Sequence, residues 1–343
     1  MAEKERLYYW DNVKFFLILM VVIGHFGSNS VELEPRFDSL FVWIYAFHMP
    51  FFVFVSGLFS KSAVRGEKLK SYKVFYFASL CWILKLLFAG VNLLFSHPSG
   101  FRLLSMQATP WYMFAMAIWL ALTYMLKSVK PALVLMISVV LALFVGCFEE
   151  VGDILAISKV IVFYPYFILG YYIDPVKFAG RIKKYKAAYA IAAGILVGFT
   201  LLCIFRIDLF SSVRICFTGR RNYLEFSGLW EGVWNRFLAY LLAAVVSLSL
   251  MVWIPDRKLI VSRWGTRTLQ VYFFHRPILT ILMYAGTREW MISVFGPEVW
   301  AVVWIVIAAA LTCVLSLKPL GYFFTVYETL IRRIFENSSD QKQ

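Results

Sequence analysis

The sequence predicts an all-α, polytopic integral membrane protein of about ten transmembrane helices, with both termini cytoplasmic. Three observations predict it. Of 343 residues, 61% are hydrophobic and 16% charged, with a mean hydropathy of +0.73; a soluble domain is nearer half apolar and a quarter charged. Apolar runs of membrane-crossing length recur along the whole chain. The cations also alternate: with the N-terminus inside, 22 of the 34 lysines and arginines fall in inner segments and seven in outer loops, the bias that sets orientation in a bilayer. That alternation makes the net charge of +14 a topology signal and removes nucleic acid as a partner. The lipid bilayer is the partner instead, in a multi-pass protein of the plasma (inner) membrane.

The ten spans are drawn at about 10–27, 39–59, 74–95, 111–126, 132–148, 154–173, 188–205, 236–254, 269–286 and 299–317. Tyr8, Tyr9 and Trp10 give the first an aromatic belt. Val13–Gly27 imitates the apolar core of a signal peptide, but no small-residue cleavage site follows it, so it is read as a retained span. Pro50 breaks the second span, and Tyr164-Pro165-Tyr166 reads as a broken, aromatic end to the sixth. Gly194 and Gly198 form a GxxxG, read as a close helix approach in the seventh. The long outer loop 206–235 mixes Arg214, Arg220 and Arg221 with Phe217, Tyr223, Phe226, Trp230 and Trp234; it reads either as an interfacial loop or as a lid that stacks on an acceptor. One membrane domain, 1–317, is followed by a cytoplasmic tail, 318–343. Leu320, Phe323, Phe324, Tyr327, Leu330, Ile331 and Phe335 recur in that tail at helical spacing beside Arg332 and Arg333, the pattern of an amphipathic helix on an inner leaflet.

Charged groups inside spans are costly and usually face protein or water. Lys14 and His25 stand eleven residues apart, so a helix places them on one face roughly 16 Å apart. His25 can act as a general base near neutral pH. Lys14 reads either as a lysine snorkelling to the interface, paired with Asp11 at i−3, or as a group that with Asp11 holds a polar ligand at the cytoplasmic mouth. His48 and the adjacent His275 and Arg276 fall mid-span, and Arg276 calls for an anionic partner. Lys85 and Lys159 are further cations in spans, and Trp111 opens the fourth. The five cysteines show no paired spacing, so neither a disulfide framework nor a metal site is read.

Lys14, ten residues and His25 resemble the Arg/Lys-x10-His signature of the membrane acyltransferase-3 family, with Asp11 just ahead of it. The chain is similar to that family also in Phe47-His48-Met49-Pro50 with Ser56-Gly57, in Trp111, in Phe167-Ile168-Leu169-Gly170-Tyr171, and in Trp264-Gly265, Thr268, Leu269, Tyr272, His275 and Pro277. The closest flavour is the fucose 4-O-acetylase-like group. The resemblance implies transfer of an acyl group, usually acetyl from acetyl-CoA, to a hydroxyl of a sugar, glycolipid or cell-surface polysaccharide. It implies His25, Lys14 and Asp11 as the catalytic group, and His48, Ser56, Trp111 and His275 as substrate-binding residues, to which the mid-span charge of Arg276 adds a fifth. Arg65 and Lys68 are the approximate match to a basic donor-contacting pair in the first cytoplasmic loop. No tightly bound cofactor or metal is implied, and a homodimer is left open. Two competing readings are a proton-coupled polysaccharide or solute exporter that uses the same histidines as a relay, and a b-type haem protein.

Overall fold

A computed structural model describes residues 8–64, 68–97, 104–106, 108–148, 155–220 and 222–340, without the side chains of 336–340. The described residues are helical, with no strand. The helices are α1 (Tyr8–Ser28), α2 (Arg36–Tyr45), α3 (His48–Phe59), α4 (Lys61–Val64), α5 (Ser71–Leu94), α6 (Pro110–Met125) and α7 (Pro131–Phe144). They continue with α8 (Ile157–Tyr172), α9 (Pro175–Ile182), α10 (Lys186–Phe205), α11 (Leu229–Trp253), α12 (Thr268–Tyr284), α13 (Thr287–Leu315) and α14 (Lys318–Asp340). Each of the ten apolar stretches falls mostly on helix among the described residues. Among the described residues six helices are long and apolar enough to cross a membrane, with Arg36–Phe59 taken across its break. The helices α6, α7 and α8 are apolar but shorter.

Several boundaries differ from the sequence reading, each for a local reason. The second stretch breaks before Pro50, at Ala46–Phe47. Pro50 then sits in the first turn of α3, where a missing N–H costs no helical bond. The sixth stretch is not broken: α8 runs through Pro165 to Tyr172. The tenth begins earlier, because helix precedes the kink as well as following it; Gly296 has φ 75°, a left-handed conformation open to glycine, and Pro297 follows. The loop after α10 is shorter than drawn, since α11 starts at Leu229. It is wound into 3-10 turns at Ile207–Phe210, Val213–Cys216 and Tyr223–Glu225.

The chain forms two compact units. The first comprises residues up to 52, 173–217 and 238–318. At its heart is α1, packed by α2, α12 and α13. Buried Asn12 fastens the start of α1. Its amide nitrogen donates to the carbonyls of Pro255 (2.9 Å) and Arg257 (3.0 Å), and its oxygen accepts from the Ser262 hydroxyl (2.6 Å). Tyr9 donates to the Met251 carbonyl and Trp10 to that of Pro175. Gly265 lies against the backbone of Asp11 so closely that any side chain there would strike the Asp11 carbonyl. The end of α13 is capped from α12 and the turn before it, with Gln270 donating to the carbonyls of Leu315 and Leu317 and Arg267 to that of Ser316, which satisfies otherwise orphaned groups.

The second unit comprises 53–172, 218–237 and the tail from 319. Here α5 packs on α6, α7 on α8, and α6 on α8. The small residues that bring two helices together are Gly57 on α3 and Gly170 on α8. A Cβ at Gly57 would strike the Phe167 carbonyl, and one at Gly170 the Phe54 carbonyl. The GxxxG at Gly194 and Gly198 does not do this, because nothing lies within 4 Å of either position. Lys85 donates to the Ser105 carbonyl (2.8 Å) and lies over the Trp82 ring, so its charge is held by a carbonyl and an aromatic face. The tail is one helix, α14, docked on the start of α5. Lys73 pairs with Glu328 (2.5 Å), Phe75 stacks on Phe335, and Arg332 lies over the Tyr72 ring.

Candidate active site

The first unit assembles a polar cluster where α1, α2, α3 and α12 meet. The uninterrupted helix from Tyr8 to Ser28 keeps Lys14 and His25 on one face, as the spacing requires. Near its start, Lys14 contacts Asp11 at 3.4 Å. Toward its end, His25 meets Tyr45 of α2 and His275 of α12, and His48 of α3 stands beside Tyr45. The Tyr45 hydroxyl lies 3.3 Å from His25 Nδ1 and 3.2 Å from Ser28 Oγ. The His48 ring stands edge-on to Tyr45 at 4.6 Å, and the His275 ring stacks on His25 at 5.3 Å with the planes 25° apart.

Ser28 Oγ donates to the His25 carbonyl (3.4 Å) and can exchange a hydrogen bond with Tyr45 in either direction. Where Tyr45 donates to Ser28 and accepts from His25 Nδ1–H, His25 carries its lone pair on Nε2, the form a general base needs. For His48 and His275 the assignment is more direct. Each points Nδ1 at the carbonyl four residues back, Ile44 (2.9 Å) and Val271 (3.0 Å). A carbonyl only accepts, so both carry the proton on Nδ1 and present Nε2 as an acceptor.

Two buried polar atoms in this cluster have no partner: Nε2 of His275, whose residue is 0% exposed, and Nη1 of Arg276. Arg276 lies within electrostatic reach of Tyr45. Asn29 donates to the His25 carbonyl (2.7 Å), and Arg288 donates to the Asn29 carbonyl (2.6 Å); together they close the end of α1. In the turn before α2, Glu34 is clamped by Arg36, which holds its carboxyl below the usual range.

Of the residues singled out in the sequence, His25, His48, His275 and Arg276 are brought together, and Lys14 with Asp11 occupies the other end of α1. Ser56 and Trp111 belong to the second unit. There Ser56 Oγ bonds the Tyr112 hydroxyl at 2.6 Å, and Trp111 packs on Phe163 with the Lys159 ammonium 5.2 Å from its ring. Lys68 is exposed, and Arg65 lies outside the described residues. Sequence reasoning missed Tyr45, Ser28 and Asn12. Tyr45 carries a faint signal, since it sits three residues before His48 at the same helix break. Asn12 carries another as an amide inside an apolar helix. Among the described residues no three side chains of metal-binding type cluster together.

One family model matches the chain, that described as an acyltransferase domain, over residues 7–318. No curated protein and no solved structure matches it.

Proposed function

The chain belongs to the acyltransferase-3 family, and from that premise we propose that it is a membrane O-acyltransferase moving an acyl group, acetyl in the first instance, from acyl-CoA to a hydroxyl of a sugar, glycolipid or cell-surface polysaccharide. The match over residues 7–318 carries the reading. The cluster around His25 supports it, because hydroxyl acylation needs one well-placed base. In this reading the chain crosses the plasma membrane ten times with both termini in the cytoplasm. The donor's phosphates lie at the Lys14 end of α1, and in this topology the basic first cytoplasmic loop that holds Lys68 faces the same compartment. The pantetheine arm follows the α1 face toward His25, a path of roughly 16 Å. The resemblance to the fucose 4-O-acetylase-like group points to a sugar hydroxyl as the acceptor.

The reaction balances on this chain's own groups. The acceptor oxygen attacks the thioester carbon as its proton passes to His25 Nε2. The tetrahedral intermediate collapses with cleavage of the C–S bond, and the CoA thiolate recovers the proton from His25. Tyr45 acts as a positioning residue that holds Nδ1–H. A general base contributes about 10²- to 10⁴-fold. The test is acetyl transfer by the purified full chain from labelled acetyl-CoA, combined with mass spectrometry of the cell's surface glycans with and without the gene. Wild type should transfer label, and one acyl mass should vanish from the glycans without the gene. His25→Gln should lose at least a hundredfold in turnover while still binding acyl-CoA. Turnover in His25→Gln above about a tenth of wild type would place the base elsewhere.

A further inference from the structure

The mechanism above uses His25 and leaves the two unpartnered atoms beside it unexplained. A buried donor or acceptor without a partner costs free energy that a ligand can recover. Here the two are of opposite kind. Arg276 Nη1 can only donate, and His275 Nε2, with its proton committed to the Val271 carbonyl, can only accept. A phosphate or carboxylate would satisfy Arg276 but turn its oxygens against the His275 lone pair. A neutral carbonyl next to a neutral hydroxyl satisfies both, and these are the two functional groups that meet in acyl transfer. We infer that Arg276 Nη1 donates to the thioester carbonyl oxygen and holds the oxyanion, while His275 Nε2 accepts from a hydroxyl of the acceptor.

This inference rests on the acyltransferase reading and deepens it. As the acceptor oxygen bonds to the carbonyl carbon, the π pair moves onto the carbonyl oxygen. The Arg276 bond then strengthens from one to a neutral acceptor to one to an anion. A fixed guanidinium in a water-poor site needs no reorganisation when that charge appears, so its effect falls on the transition state rather than on binding. His275 sits against the His25 ring, which places an acceptor hydroxyl within the same constellation as the base. Arg276 is thereby a catalytic residue distinct from His25.

The experiment uses the full chain in detergent and an acetyl-CoA analogue in which a methylene replaces the thioester sulfur, with an isotope-labelled carbonyl read by infrared difference spectroscopy. In wild type the bound carbonyl band should lie below its position in water. His25→Gln should keep that shift, Arg276→Lys should keep part of it, and Arg276→Gln should abolish it with analogue affinity changed less than threefold. Acetyl transfer by Arg276→Gln should fall at least a hundredfold in kcat with KM near wild type. A wild-type band unmoved by Arg276→Gln, or a loss confined to KM, would overturn the inference and leave the acyltransferase reading standing. Absence of any bound band in folded wild type would instead sink the reading itself. Should Arg276→Gln fail to fold, Arg276→Lys decides, because a full wild-type shift with lysine's different reach and geometry would count against a directed Nη1 bond.

Discussion

His25 depends on a hydroxyl pair for its useful form. With Tyr45 donating to Ser28 and accepting from His25 Nδ1–H, the imidazole keeps its lone pair on Nε2. Removing the tyrosine hydroxyl frees the other tautomer without opening a large cavity. Tyr45→Phe should therefore lower kcat roughly tenfold, the loss of about 1.4 kcal/mol of transition-state stabilisation, with KM for acyl-CoA unchanged. An equal rise in KM would show that Tyr45 holds substrate rather than the base. Asn12 makes a different kind of claim, since it joins the start of α1 to three points of the 255–262 segment. Asn12→Ala should cost about 1–3 kcal/mol of stability for each buried partner left unsatisfied. Thermal unfolding of the detergent-solubilised protein measures it, and an unchanged midpoint would refute the anchoring role. The sequence showed His25 and Lys14 because a fixed spacing on one helix is a property of a single segment. It did not show that His275 stacks on His25, because that contact joins residues 250 positions apart through packing. Tyr45 stayed hidden for a simpler reason: in a chain with 19 tyrosines one more carries little information.

Helix α14 begins where the family match ends, at Lys318. Its contacts with α5 include the Lys73–Glu328 ion pair and a set of aromatic faces. The partly exposed pair of Lys73 and Glu328 contributes on the order of 0–1 kcal/mol, so Glu328→Gln should leave the melting temperature nearly unchanged. Truncation after Leu317 uncovers Tyr72 and Tyr76 and should lower it by several degrees, while acyl transfer persists in the remaining domain. Loss of transfer in a truncated chain that stays folded would make α14 part of the enzyme. The sequence displayed this helix through its amphipathic spacing but not its partner, because an apolar stripe fits a lipid surface and another helix equally well. The glycines were misread on the same ground. GxxxG reports that a helix has a smooth face, and only the neighbour decides whether that face is used, as Gly57 and Gly170 are and Gly194 and Gly198 are not.

For the whole chain the cation bias predicts a cytoplasmic C-terminus. A reporter fused after Asn337 should be active only when that reporter works in the cytoplasm, and activity restricted to the exterior would invert the topology. The lengths of the helices carry a further consequence. The second unit contains three consecutive short apolar helices, of 16, 14 and 16 residues, the middle one prolonged by a three-residue 3-10 turn. At about 1.5 Å per residue the first and third span roughly 24 Å, and the middle one with its 3-10 turn about 27 Å, short of a bilayer's hydrocarbon core of about 30 Å. Mismatch costs fractions of a kcal/mol per Å, so in the ten-span topology lipid beside these helices would thin, and headgroups and water would come closer to the midplane there than elsewhere. Bilayer thickness thereby becomes a setting of the enzyme. Reconstituted into vesicles of matched charge, the protein should work faster in short-chain than in long-chain phosphatidylcholine, and a rate indifferent to chain length would mean that the three helices are sheltered from lipid.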